Sequence, residues 1–250
     1  MKKLFLALML VLTAVSSFAQ ERYKPQDFAF VGQQHNQYLE DIYNYWVSNN
    51  IKGPGIIDKT QQYLNQRVAQ SSMPAEAKTI AIGNIEKNKR AFGTLKNLYP
   101  GVDPKTLSAA EKSYLDQLYQ IVIKEEIPVA TMTQQVSSLE TKISNDMSLN
   151  NTQLAILFSA TSTAKSSLSY WAGNSQKWST YGGSQAAKAM GPGDGVGAAD
   201  VGGAVGAAVT TWMANAVPGA GQIAYGGAIV TGAVAASAAK AVENLINSWF

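Results

Sequence analysis

The sequence has no cysteine and a single histidine, and only 15% of its 250 residues are charged. The missing cysteine excludes disulfide staples, a thiol nucleophile, thiolate metal ligation and a lipidated N-terminal Cys. A lone imidazole leaves zinc only a carboxylate shell, whereas zinc sites draw on several His or Cys ligands. A surplus of one charge is also lacking. The formal charge is +3, but Lys2 and Lys3 fall in a segment expected to be removed, and without them 18 basic groups face 17 acidic ones. Nothing then argues for an acidic partner. The cluster Lys87, Lys89 and Arg90 is too ordinary to make a nucleic-acid surface. Period-two alternation long enough for a sheet is absent.

What is present begins with a leader pattern. Met1-Lys2-Lys3 is followed by an apolar run from Leu4 to Val15, then small residues at Ser17 and Ala19 before Gln20. That layout predicts a signal peptide over 1–19 and export to the periplasm, the cell surface or the medium. The run falls short of the roughly 20 apolar residues that a membrane anchor needs.

Residues 20–172 read as a helical bundle. Leu39, Ile42, Tyr43 and Trp46 form one stripe, and Ile57, Tyr63, Leu64 and Val68 start another after the Gly53-Pro54-Gly55 break. Pro74 suits a helix start, with Ala77, Ile80, Ala81, Phe92, Leu95 and Tyr99 on one face. Ser108 and Glu111 have capping-box spacing ahead of Tyr114, Leu115, Leu118 and Val122. Val129, Met132, Val136, Leu139, Ile143 and Met147 step by threes and fours. Asn150 or Asn151 can cap a last helix through Leu154, Leu157, Phe158, Thr161, Leu168 and Trp171. Short links favour antiparallel neighbours, so the fold class is all-α, a helical bundle. The Tyr38, Tyr43, Tyr45 and Trp46 cluster reads as core, or else as a groove or partner surface.

No residue pattern points to catalysis. His35 sits at the edge of an apolar face and reads as a hydrogen-bonded residue near a helix start, beside Asn36. There is no Gly-x-Ser-x-Gly elbow. Glu40-Asp41 and Glu125-Glu126 are sequence neighbours, which diverge around a helix instead of facing each other. The run Gly191-Pro192-Gly193-Asp194-Gly195 lacks the Gly-Lys-Ser/Thr ending of a phosphate loop. The reading is a non-catalytic protein with no cofactor, no metal and no nucleic-acid partner.

Glycine is unevenly spread: 15 of the 21 lie after residue 172. Residues 173–197 read as a Gly/Ser-rich linker with a short helix around Ser184 to Ala189. Residues 198–250 read as a Gly/Ala-rich helical hairpin, uncharged from Val201 to Ala239 and split at Pro218. Gly202 and Gly206 form a GxxxG. Gly203 with Ala207, and Ala228, Gly232 and Ala236, continue small-xxx-small spacing. Each Gly inside a helix costs about 1 kcal/mol against Ala. These glycines therefore mark either close backbone approach or loops. Gly202, Gly203, Gly206, Pro218, Gly226, Gly227 and Gly232 are the candidate helix-packing or membrane-interaction residues. The arms Val201–Ala216 and Gln222–Ala239 would span about 24 and 27 Å as helix, against about 30 Å of hydrocarbon.

The run Ala199-Asp200-Val201-Gly202-Gly203-Ala204-Val205-Gly206-Ala207-Ala208, the turn Pro218-Gly219-Ala220-Gly221 and Gly226-Gly227-Ala228-Ile229-Val230 resemble the core of class II bacteriocins. The resemblance covers about residues 198–240, and it implies helix pairs that permeabilise membranes. The chain departs from that family in its leader, its large N-terminal domain and the net acidity of its segment from Gly191 onward. The whole chain also resembles uncharacterised exported proteins of Bacteroidetes type, through Gly32-Gln33-Gln34-His35-Asn36-Gln37-Tyr38-Leu39, a likeness that implies no activity. The expectation is a hairpin that mediates self-association or membrane interaction, with any protein partner unknown. The alternative is a structural or envelope-associated domain whose hairpin forms part of its core. The closing residues Leu245, Ile246, Trp249 and Phe250 have helical spacing, not that of a barrel strand.

Overall fold

The computed structural model describes residues 21–53, 55–90, 104–124, 127–182, 197–214, 228–236, 238 and 240–241. The expectations placed on the leader, on Ser184 to Ala189, on Gly191 to Gly195, on Pro218, Gly226 and Gly227, and on the last nine positions lie outside these residues.

Among the described residues the protein is all-α, without strands. A short 3-10 turn, Pro25–Phe28, leads into α1 (Ala29–Ser48). There follow α2 (Ile56–Gln70), α3 (Ala75–Arg90), α4 (Ala109–Val122), α5 (Val129–Asn145), α6 (Asn151–Gly182) and α7 (Gly197–Ala214). Residues 228–236 are also helical.

Each helix has a local cause. α1 buries Val31, His35, Leu39, Ile42 and Trp46 at spacings of three and four, which makes one continuous face. Gly53 takes a φ of 76°, open to glycine without strain, where α1 gives way to α2. Inside α2, the Thr60 hydroxyl donates to the Ile56 carbonyl and accepts the Trp46 indole N–H at 2.8 Å, tying α2 to α1. Ser108 Oγ accepts the Glu111 N–H at 3.2 Å while Glu111 Oε2 accepts the Ser108 N–H at 2.8 Å, a closed capping box that starts α4. Asn150 and Gln153 cap α6 in the same reciprocal way, at 3.0 and 2.8 Å. Pro74 sits just ahead of α3, outside its first turn.

α6 is the axis. Its 32 residues extend about 48 Å, and α1, α4, α5 and α7 all pack on it. It continues past Trp171 through Gly173 to Gly182, because Trp178 and Tyr181 carry the apolar face onward to α1. Residues 154–164 are buried without interruption, so α6 is enclosed on every side there. The rest of the core is continuous with it. Leu39 and Trp46 of α1, Leu115 of α4, Met132 of α5, Val201 and Val205 of α7, and Val230 and Val234 belong to one buried cluster.

Candidate functional site

The small-residue helices meet in the interior. Residues 199–209 of α7 and the stretch 228–236 are buried at every position, the condition of a helix with no solvent face. At Gly203 an added Cβ would lie 2.6 Å from the Gly232 carbonyl oxygen and 2.5 Å from Ala236 Cβ. At Gly232 it would lie 2.3 Å from Ala207 Cβ and 3.1 Å from the Gly203 carbonyl oxygen. Two small-xxx-small rows, Gly203/Ala207 and Gly232/Ala236, thus interlock face to face, at a separation that only glycine permits. Gly202 and Gly206 are buried on the same helix.

At the head of this pair lies a node around Asp200, the one acidic residue in the first turn of α7. A carboxylate is favoured there by the helix dipole. Asp200 is completely buried, as are His35 and Ser167. The Ser167 hydroxyl donates to Asp200 Oδ2, and the Trp171 indole N–H donates to the same oxygen at 3.1 Å. His35 Nε2 approaches it at 3.5 Å. Three elements, α1, α6 and α7, therefore meet at one carboxylate, which α6 holds through two hydrogen bonds. On the other side of the ring, Asn36 Nδ2 donates to the Ser166 carbonyl at 2.9 Å, which turns Asn36 Oδ1 toward His35 Nδ1 at 3.0 Å. An amide oxygen only accepts, so Nδ1 carries a hydrogen.

Ser, His and Asp are all present, but not in relay order. A nucleophile needs its hydroxyl on the imidazole, whereas Ser167 gives its proton to Asp200. The node anchors helices. His35 lies well inside α1, not at its start. No sequence pattern links it to Asp200, whose one signal is that it is the single charge heading an otherwise uncharged stretch. Among the described residues no three His, Asp or Glu side chains gather as a metal site requires.

A second girdle clamps the C-terminal half of α6 to α1. The Trp178 indole donates to the Tyr170 hydroxyl at 3.0 Å, which donates to Glu40 Oε2 at 3.2 Å, and Lys177 pairs with the same carboxylate. Burial pushes the Tyr170 phenol far above its ordinary range, with the negative charge of Glu40 acting in the same direction. Trp178 packs against Trp46 at 5.0 Å and Trp171 at 5.3 Å between ring centroids. The tyrosine cluster divides along these lines. Trp46 is core and Tyr43 packs on Trp178, while Tyr45 stacks on Tyr63 at 4.4 Å and Tyr38 lies under Arg67. Glu40 and Asp41 turn to different helices, Asp41 reaching Arg67 at 2.8 Å.

No helix of the described residues is long and apolar enough to cross a membrane. Comparison of the chain with protein-family models, with curated proteins and with solved structures finds no match.

Proposed function

We propose that the chain is an exported, non-catalytic helical protein whose small-residue segment works through helix–helix association, first of all as the centre of its own fold. The observation that carries this reading is the reciprocal approach of Gly203 and Gly232, inside a shell formed by α6 and its neighbours. Small residues earn their place in such a pair by letting backbones close, which offsets the helix propensity they forgo. In this reading the protein is a structural or envelope-associated domain. Deleting residues 191–250 tests it. The remaining bundle should lose cooperative urea unfolding and elute expanded on size exclusion. A truncated chain that stays folded and monomeric would show the segment to be a detachable module and defeat the reading.

A second reading is supported by the lack of any charged side chain from Val201 to Ala239. Released from the core, the same pair would associate between copies or with a membrane, as the bacteriocin resemblance implies. Liposome partition and leakage with the full exported chain test it, with Gly206→Leu as control. No partition, leakage or self-association, and no effect of the substitution, would eliminate it.

A further inference from the structure

A cleft of about 660 Å³ opens where α1, α5 and α6 converge. That volume lies within the range of small-molecule sites. Its shape depends on Gly32. The Gly32 N–H donates to Ser162 Oγ at 3.2 Å, and a Cβ there would fall 2.2 Å from Ser166 Oγ and 2.4 Å from the Ser162 carbonyl oxygen. α1 therefore crosses α6 in close contact, and the walls diverge from that crossing.

The wall chemistry is unusual for a helix surface, because hydroxyls stand where charges ordinarily do. Ser137, Thr141 and Ser144 of α5 line one side, with Ser166 and Gln33 opposite. The α5 hydroxyl protons are already committed: Ser137 donates to the Thr133 carbonyl, Thr141 to Ser137 and Ser144 to Glu140, at 2.8 to 3.2 Å. What these groups offer a ligand is oxygen lone pairs. Between them Glu140, nearly buried, holds Lys165 at 2.6 Å. At the mouth Lys24 is paired with Glu21 at 2.5 Å.

These features decide the ligand class. An anion would meet lysines whose charge is already neutralised by a carboxylate, with hydroxyl lone pairs beside them, and a cation would meet two ammonium groups. An apolar molecule would cover these oxygens and the Glu140–Lys165 pair without bonding them, forfeiting their contacts with water. A neutral molecule rich in O–H donors meets all three conditions. It gives protons to the α5 oxygens and to Glu140, and accepts from Lys165 and the Gln33 amide. We propose that this cleft is a binding site for a neutral polyol, a sugar of one or two rings.

The test is an amide-resolved NMR titration of the full chain. The probes are glucose, galactose, mannose, N-acetylglucosamine, maltose and cellobiose, with glucuronate and inorganic phosphate as charged comparisons. A saturable shift of amides in 26–33, 137–144 and 162–166 is expected for at least one neutral sugar, with a Kd of about 1 mM or tighter. Thr141→Trp, an exposed position, should fill the cleft and weaken binding at least tenfold while leaving the far-UV spectrum unchanged. Gln33→Ala should weaken it more mildly and guards against a folding failure of the first variant. Three results would each overturn the proposal: no saturation by any neutral sugar up to about 20 mM, saturation by glucuronate or phosphate alone, or shifts that persist unchanged in both variants.

Discussion

One substitution, made at two helical positions, should have opposite signs. Gly83 lies within α3 with nothing inside 4 Å of the position a Cβ would take. Gly83→Ala therefore gains helix propensity alone and should stabilise the protein by up to about 1 kcal/mol. Gly203→Ala gains the same propensity but places its methyl 2.5 Å from Ala236 Cβ, 2.6 Å from the Gly232 carbonyl oxygen and 3.0 Å from Ala233 Cα. Two of those atoms are backbone and the third is a Cβ, so no flexible side chain can swing aside. The helices must separate by roughly 1 Å to restore ordinary contact, and overpacking of this kind costs about 1–3 kcal/mol. With rigid neighbours the upper end applies. Subtracting the propensity gain leaves a net loss of about 2 kcal/mol. The two variants should then differ by about 3 kcal/mol, or roughly a hundredfold in folding equilibrium. Urea unfolding followed by circular dichroism and tryptophan fluorescence measures this, the midpoint shifting and the slope holding constant. Gly232→Ala should resemble Gly203→Ala, and the double variant should lose less than the two losses combined, because a pair already spread has room for the second methyl. If Gly203→Ala matched Gly83→Ala, or the double variant were strictly additive, the interlocked pair would be refuted.

Three other outcomes follow from the geometry. Asp200→Ala strands the Ser167 hydroxyl and the Trp171 indole in the core; breaking a buried node of this kind should cost about 3–5 kcal/mol, and a loss under about 1 kcal/mol would place those donors in contact with water. In long-range ¹H–¹⁵N spectra His35 should show a protonated Nδ1, and a ring protonated at Nε2 alone would contradict the Asn36 contact. Because burial holds the Tyr170 phenol neutral in the folded protein, the unfolded chain releases that proton first, near pH 10. Its contribution is complete below that pH and disappears above it, by up to about 1.4 kcal/mol per pH unit. Tyr170→Phe should flatten the alkaline fall of the urea midpoint, and an identical slope in both proteins would remove Tyr170 from the account.

Local signals are legible in the sequence because their causes are local. The Ser108–Glu111 box, the stripe of α1 and the stepped apolar residues of α5 each involve positions within a few turns of one another. The small-residue spacing of Gly203, Ala207, Gly232 and Ala236 was equally visible. Which faces meet was not, because register depends on side chains from separate helices. α6 shows the limit best. Its apolar stripe marks one face, yet Ser159, Thr163 and Ser167, on another row, are fully buried as well. Hydropathy assigns such hydroxyls to solvent, and only the packing of other helices around α6 encloses them. His35 and Asp200 are far apart in the chain, and no periodicity links them. The cleft is hidden for the same reason: Ser137, Thr141 and Ser144 look like any solvated helix face until α1 crosses α6 at Gly32.

Composition also bears on which of the two readings of the small-residue segment is the stronger. A segment selected to enter lipid gains most from Leu, Ile, Phe and Val, while Ala and Gly contribute little. The buried parts of α7 and of 228–236 are mainly Ala and Gly, with Val and Ile at intervals. Entering a membrane would also detach Asp200 from Ser167 and Trp171 and leave the Ser167 hydroxyl and the Trp171 indole without their common acceptor. Inside the fold the same residues work in the favourable direction. The glycines bring two backbones together, the intervening valines join the buried core, and the carboxylate fixes the head of α7 against α6. The truncation of residues 191–250 is therefore the decisive measurement. It removes both the pair and the node, and it should expose to water the side of α6 on which α7 packs. A bundle unharmed by that exposure would require another element to cover α6, and the argument from Gly203, Gly232 and Asp200 would then describe an accessory, not a core.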